Sequence, residues 1–421
     1  MQRPSGMNGV THIVGAGLAG LSCAIKLAQA GRRVALYEAA RMAGGRCRSY
    51  YDATLELTID NGNHLLLSGN IAARDYTARI GAADALIGPQ QCVFDFVDMR
   101  TGERWRLKPN ASRLPWWIFA PSRRVPGTKP ADYLGAAKLL FAKEGATIGE
   151  TMDCSGPLYE RLWGPVLLSA LNTEPREASA ALAGAVLRET LAAGGSACRP
   201  MVAKNGLGPA FIDPALKTLQ ELGVVVRFGA RLRGIEFAQD RALSLNFGDA
   251  SVDLAQPDSL VLAVPPFAAA ELIPRLVAPN EFRAILNAHF KVPPPENLAP
   301  LLGMVGSLSE WLFAFHDRLS VTISGADRLM DEAAEDLAKR IWGEVAVVTG
   351  LPSQLPQWRI VKEKRATFAA TPSQQARRPD AKTRWRNLLL AGDWTATGLP
   401  ATIEGSIRSG YRAAELLSRG T

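Results

Sequence analysis

Val10-Thr11-His12-Ile13-Val14-Gly15-Ala16-Gly17-Leu18-Ala19-Gly20 carries a short β-rich run directly into the pattern GxGxxG. Leu18, Leu21, Ile25 and Ala28 then recur at roughly helical spacing until Gly31, and residues 34–38 read as a second strand. Strand, glycine turn, helix and strand in so short a space make the β-α-β unit of a dinucleotide-binding fold. Gly15 permits the tight turn, Gly17 lets backbone approach a pyrophosphate, and Gly20 allows close helix–strand packing. Leu18 and Ala19 contribute the unpaired N–H groups of the helix start, which favour an anion. Glu38 ends the second strand about twenty residues further on, where a carboxylate accepts both ribose hydroxyls and disfavours a 2′-phosphate.

The next segment separates FAD from NAD as the expected dinucleotide. Arg41-Met42-Ala43-Gly44-Gly45-Arg46 follows the acidic residue almost at once. Gly44 and Gly45 let the chain pass against a diphosphate and a flavin edge, and Arg41 or Arg46 can offset phosphate charge.

The remainder of the 421 residues has ordinary globular composition, 47% hydrophobic and 21% charged. Residues 131–195 look helical, and from Asn205 the pattern returns to α/β. A helix is expected over 214–222, strands over 224–228, 231–237, 259–264 and 321–324, and a helix over 331–342. A last strand at 388–391 precedes a last helix at 402–417. The expected fold is therefore α/β, with a Rossmann-like FAD domain assembled from residues 9–70, 205–265 and 385–421. An α+β substrate-binding, membrane-facing domain of residues 71–204 and 266–384 is inserted into it.

The five cysteines are scattered without a CxxC pair, which suits a reducing compartment, and no metal site is expected. The start lacks an apolar leader, and no run near 18 apolar residues occurs. Net charge is +8, yet no zinc finger, RNP motif or basic helix with interleaved aromatics is present, so nucleic acid is not expected as a partner. A membrane surface is. Leu114-Pro115-Trp116-Trp117-Ile118-Phe119-Ala120-Pro121, followed by Arg123 and Arg124, suits an interfacial loop. The expected location is cytoplasmic, peripherally on the inner membrane.

With its GxGxxG, acidic residue and GGR turn, the chain resembles the flavin amine oxidase and phytoene desaturase superfamily. The C-terminal signature also matches, as Leu390-Ala391-Gly392-Asp393-Trp394 and Leu399-Pro400-Ala401-Thr402-Ile403-Glu404-Gly405-Ser406. The resemblance implies that Gly392 and Asp393 meet the ribityl–pyrophosphate region of FAD. It also implies that the helix beginning at Pro400, Ala401, Thr402 and Ile403 points at the flavin N1/O2 edge. More loosely, backbone around Leu232 is expected to hold the adenine.

Three further runs resemble one family within that group, the squalene-associated FAD-dependent desaturases or bacterial hydroxysqualene dehydroxylases. They are residues 60–70, which begin Asp60-Asn61-Gly62-Asn63-His64, then Ser309-Glu310-Trp311-Leu312-Phe313, and residues 362–372, which contain Lys364 and Arg365. That likeness implies hydroxysqualene, or another long isoprenoid lipid, as substrate and squalene as product, with Asn61, Gly62, Asn63 and His64 at the flavin. The electron donor is left open. An acid is required near the hydroxyl. His64 is the first candidate, and Lys364 and Arg365 are rivals, because amine oxidases often place a lysine near flavin N5. A carotenoid-type desaturase and an amine oxidase are the alternatives.

Overall fold

The computed structural model describes residues 9–419. Residues 1–8, where no leader was read, and 420–421, the end of the third cofactor segment, lie outside the described residues.

Val10–Val14 occupies the centre of a five-stranded parallel sheet. Its strand order is Val225–Arg227, Arg33–Tyr37, Val10–Val14, Ser259–Leu262 and Leu388–Leu390. Parallel strands need cover on both faces, which is why Ile13, Leu36, Val261 and Leu389 are apolar and buried. One face carries the helices Leu18–Gln29, Asp213–Glu221 and Ile403–Ser418. The other packs on a three-stranded antiparallel sheet, Gly234–Phe237, Ala242–Asn246 and Ser251–Asp253. The sheet thus joins three separated pieces of chain, which is the α/β, Rossmann-like arrangement expected.

The piece boundary at residue 70 differs. Helix Ile71–Arg79, assigned by the sequence to the substrate unit, buries Ala72, Ala73 and Tyr76 in the core shared with Leu21 and Ile25. Glu404 of the last helix accepts the N–H groups of Ala72 and Ala73 at 3.0 and 2.9 Å, a buried carboxylate placed on a helix N-terminus. A division at residue 70 therefore cuts through one hydrophobic core.

The second large sheet has seven strands, ordered Trp358–Phe368, Phe282–Phe290, Leu319–Ile323, Trp311–Ala314, Leu301–Val305, Phe94–Asp98 and Arg104–Leu107. Period-two alternation gives it two distinct faces. Leu286, Ala288, Phe290, Leu312, Val321 and Ile323 pack with Leu337, Ile341, Trp342 and Val345 of helix Ala334–Thr349. Asn287, His289, Trp311 and Thr322 take the opposite face, which meets the loop carrying Asn63.

Candidate active site

The glycine turn forms as the spacing requires. Gly15 has φ +107°, and a Cβ there would lie 2.3 Å from the Ala263 carbonyl oxygen. At Gly20 a Cβ would lie 1.8 Å from the Gly15 carbonyl oxygen. Gly17 is different, because a Cβ there would meet nothing within 4 Å. That glycine borders open space at a helix start with no side-chain cap and no acidic residue in its first turn. The Leu18 N–H faces the Gly44 carbonyl through a parallel bridge between Gly17 and Gly44, while among the described residues the Ala19 N–H has no acceptor. Glu38 is fixed beside them by the Ala16 and Ala40 N–H groups, each 2.8 Å from a carboxylate oxygen. Gly44 closes the other wall, its N–H donating to the Ala16 carbonyl at 2.8 Å.

The backbone expected to meet the adenine carries open polar groups. Leu232 lies just before the strand Gly234–Phe237 rather than in a strand, and neither its N–H nor its C=O has a partner among the described residues. Arg41 is exposed on the wall of a shallow cavity with Arg48, Gly208 and Ile212. Arg46 is otherwise engaged, donating to Asp393 Oδ1 at 2.8 Å and to the Ala366 carbonyl at 2.6 Å.

A second group of expected residues gathers around Arg46. Asn61 Nδ2 donates to Glu363 Oε2 at 3.0 Å. Asn63 Nδ2 donates to Thr322 Oγ1 at 3.1 Å, and its Oδ1 is buried with no partner among the described residues. Gly62 allows this loop to lie against the sheet, since a Cβ there would come within 3.0 Å of Asn287 Nδ2. His64 is held neutral: burial, then the positive charge of Arg46, lowers its pKa to about 4. At neutral pH it offers a hydrogen bond but no imidazolium proton.

The last helix starts at Ile403 with Thr402 as its cap, Thr402 Oγ1 accepting from the Gly405 N–H at 3.0 Å. Among the described residues, the Ile403 and Glu404 N–H groups have no acceptor. Such an end stabilises negative charge, as a reduced flavin requires. Pro400 and Ala401 lead into it. Gly392 donates its N–H to Ser409 Oγ at 2.8 Å, tying the Gly392-Asp393 turn to the same helix.

Two expectations for the strand Trp358–Phe368 change. Its register slips opposite Arg283 to Ile285, and its side chains are sorted accordingly. Glu363, not Lys364, enters the cluster with Asn61. Lys362 donates outward to the Met330 and Glu332 carbonyls. Lys364 is exposed, and Arg365, also exposed, sits over the Phe267 ring at 4.5 Å.

Arg378 escaped the sequence reading altogether. Its buried guanidinium donates to Gln375 Oε1, Thr397 Oγ1 and the carbonyls of Asp393, Thr395 and Leu399. It therefore shapes the whole turn between Asp393 and the last helix. A buried arginine has no sequence signature, and only its place beside residues 362–372 hinted at it.

The aromatic loop divides in two. Trp117 and Ile118 are buried, with Trp117 edge-on to Tyr133 at 5.1 Å, whereas Trp116 and Phe119 are 51% and 68% exposed. Leu114, Leu134 and Phe141 are exposed as well. Among the described residues, no helix is long and apolar enough to cross a membrane.

A glycine turn, an anchored carboxylate at the end of the second strand, a second glycine pair and a bare helix end together fit FAD, and they define a FAD-dependent oxidoreductase. The chain belongs to the flavin containing amine oxidoreductase family, whose model matches residues 18–418, and within it to the hydroxysqualene dehydroxylases. It is 55% identical to a hydroxysqualene dehydroxylase of Rhodopseudomonas palustris, over 98% of this chain and 99% of that protein. A protein of the same name from Sinorhizobium fredii is 52% identical, over 96% and 97% of the two chains. Phytoene and zeta-carotene desaturases match at only 23–25% identity. A solved putrescine oxidase shares the fold, with a TM-score of 0.69 at 16% identity over 98% of this chain and 99% of that chain.

Proposed function

We propose that this enzyme replaces the hydroxyl of hydroxysqualene with hydride, giving squalene for hopanoid synthesis. Identity of 52–55% to hydroxysqualene dehydroxylases over 96–98% of this chain carries the reading. The hydroxyl carbon is allylic. The hydroxyl oxygen takes up one proton, the C–O bond breaks to release water, and a new C–H bond forms at the delocalised cation. Reduced FAD supplies the hydride. The chain's own part is to orient a long apolar substrate, exclude water and bring an acid to the oxygen. His64, neutral near pH 7, serves in this scheme as a hydrogen-bonding group. Lys364 and Arg365, the rival candidates, are both exposed, and Arg365 lies against Phe267.

Anaerobic photoreduction of the FAD-loaded enzyme, followed by hydroxysqualene, is expected to reoxidise the flavin with one equivalent of squalene. Flavin that stays reduced, together with oxidation of a polyene precursor by the oxidised enzyme, would move the assignment to a carotenoid-type desaturase.

A substrate dissolved in the bilayer favours peripheral membrane contact. What supports this is the exposed group Leu114, Trp116, Phe119, Leu134 and Phe141, flanked by Arg113, Arg123, Arg124, Lys129 and Lys138. Trp116→Glu combined with Phe119→Glu is expected to weaken binding to anionic vesicles at least about tenfold, measured by flotation. Trp117 is no test of this contact, because it is part of the core. Undiminished flotation of the double variant would remove this surface from the scheme.

A further inference from the structure

Glu363 belongs to none of the expected roles, yet it is the acidic side chain that the second sheet turns toward the cofactor cluster. The directly bonded set consists of Arg46 with Asp393 and of Asn61 with Glu363, and the field of Glu363 also reaches Arg46. Against two guanidiniums, Arg46 and the buried Arg378 that donates to the Asp393 carbonyl, stand two carboxylates. His64 adds no positive charge, and Lys362 directs its ammonium to carbonyls outside the cluster. Arg48 donates to the Gly45 carbonyl, and Arg365 lies over Phe267 and Phe282. The group is thus balanced, and loss of the Glu363 carboxylate would leave it one positive charge in excess.

We propose that Glu363 is a charge-setting residue of the reaction, a fixed anion that Asn61 orients beside the flavin-binding turn. The argument rests on the dehydroxylation reading, in which positive charge develops on the substrate carbon as water departs. A carboxylate held in a site of reduced dielectric lowers the energy of that cation. The same negative charge opposes accumulation of negative charge on reduced FAD, and so strengthens it as a hydride donor. Both effects favour the forward reaction. Neither needs Glu363 to give up a proton.

Glu363→Gln preserves shape and an acceptor for Asn61 while removing the charge. In the holoenzyme it is expected to retain FAD and to shift the flavin's reduction equilibrium about tenfold toward the reduced form. That corresponds to about +30 mV for a two-electron couple. Reoxidation by hydroxysqualene in an anaerobic single turnover is expected to slow at least a hundredfold. Glu363→Asp, which keeps the charge, should hold its potential near the original and recover much of the rate. An unmoved potential in Glu363→Gln would overturn the proposal, as would an equal shift in Glu363→Asp. The potential is measured without substrate. If unmodified enzyme fails to convert hydroxysqualene, the dehydroxylation reading falls while the potential difference still reports on Glu363.

Discussion

Gly17→Val is expected to leave the apoprotein folded while weakening FAD binding at least about a hundredfold. The backbone at Gly17 is extended, with φ −77° and ψ 179°, a conformation open to any residue. Its Cβ would point into space free of protein atoms for 4 Å. The cost to the chain alone is a poorer helix cap, about 1 kcal/mol. The cost to the cofactor is much larger, because the pyrophosphate must approach backbone at that point. Gly20→Val supplies the contrast. There the Cβ would lie 1.8 Å from the Gly15 carbonyl oxygen, so helix and strand cannot pack and soluble protein is not expected. Thermal melts of apoprotein and flavin titration by fluorescence quenching read the two effects separately. Gly17→Val protein that binds FAD as tightly as the parent would show that the dinucleotide does not lie on this turn.

Arg378→Met is expected to cost about 3–5 kcal/mol in folding stability and to lose most of the flavin, because buried carbonyls left without a donor cost roughly 1–3 kcal/mol each. Methionine fills similar volume but removes the guanidinium that reaches the Asp393 carbonyl at 2.9 Å, leaving the Thr395 carbonyl with the Thr397 N–H alone. Burial already presses on this residue, lowering its pKa to about 10 against the opposing pull of Asp393. The guanidinium nevertheless stays charged at neutral pH, stacked over Phe368 at 4.9 Å. Arg378→Lys should recover only part of the loss, since an ammonium cannot reproduce the planar fork. Urea unfolding and the flavin retained after gel filtration are the measurements. A methionine variant with the parent's urea midpoint and full flavin would mean that the Asp393–Leu399 turn is held by other contacts.

Much of the backbone geometry expected of a cofactor site was legible because it is local. GxGxxG, Glu38 and the Gly44-Gly45 pair act through backbone conformation and spacing within a few dozen residues. Each glycine meets a steric demand set by its own turn. The last helix was equally readable, since Thr402 caps it and its apolar residues recur at helical spacing.

The substrate side was less legible. Trp358–Phe368 mixes lysine, glutamate and arginine, so no alternation announces a strand, and most strands of the seven-stranded sheet went unread. Residues 362–372 were singled out by resemblance, but resemblance could not say which side chain of Lys362, Glu363, Lys364 and Arg365 faces the flavin. Successive residues of a strand point to opposite faces, and a one-residue slip reverses the assignment. In the structure Glu363 pairs with Ile285 and accepts from Asn61, while Lys362 on the opposite face donates to the Met330 and Glu332 carbonyls.

The same distinction governs the aromatic loop, where Trp116 and Trp117 are equivalent in sequence and opposite in burial. By itself the sequence determined the cofactor, the α/β class and the family, because backbone turns and helix periods are short-range properties. Only the tertiary structure decided that Asn61 meets Glu363, that Arg378 holds the Asp393 turn and that Trp116 is the exposed tryptophan of its pair. Those contacts depend on how separate segments dock, and docking is set by the packing of whole sheets rather than by any local pattern.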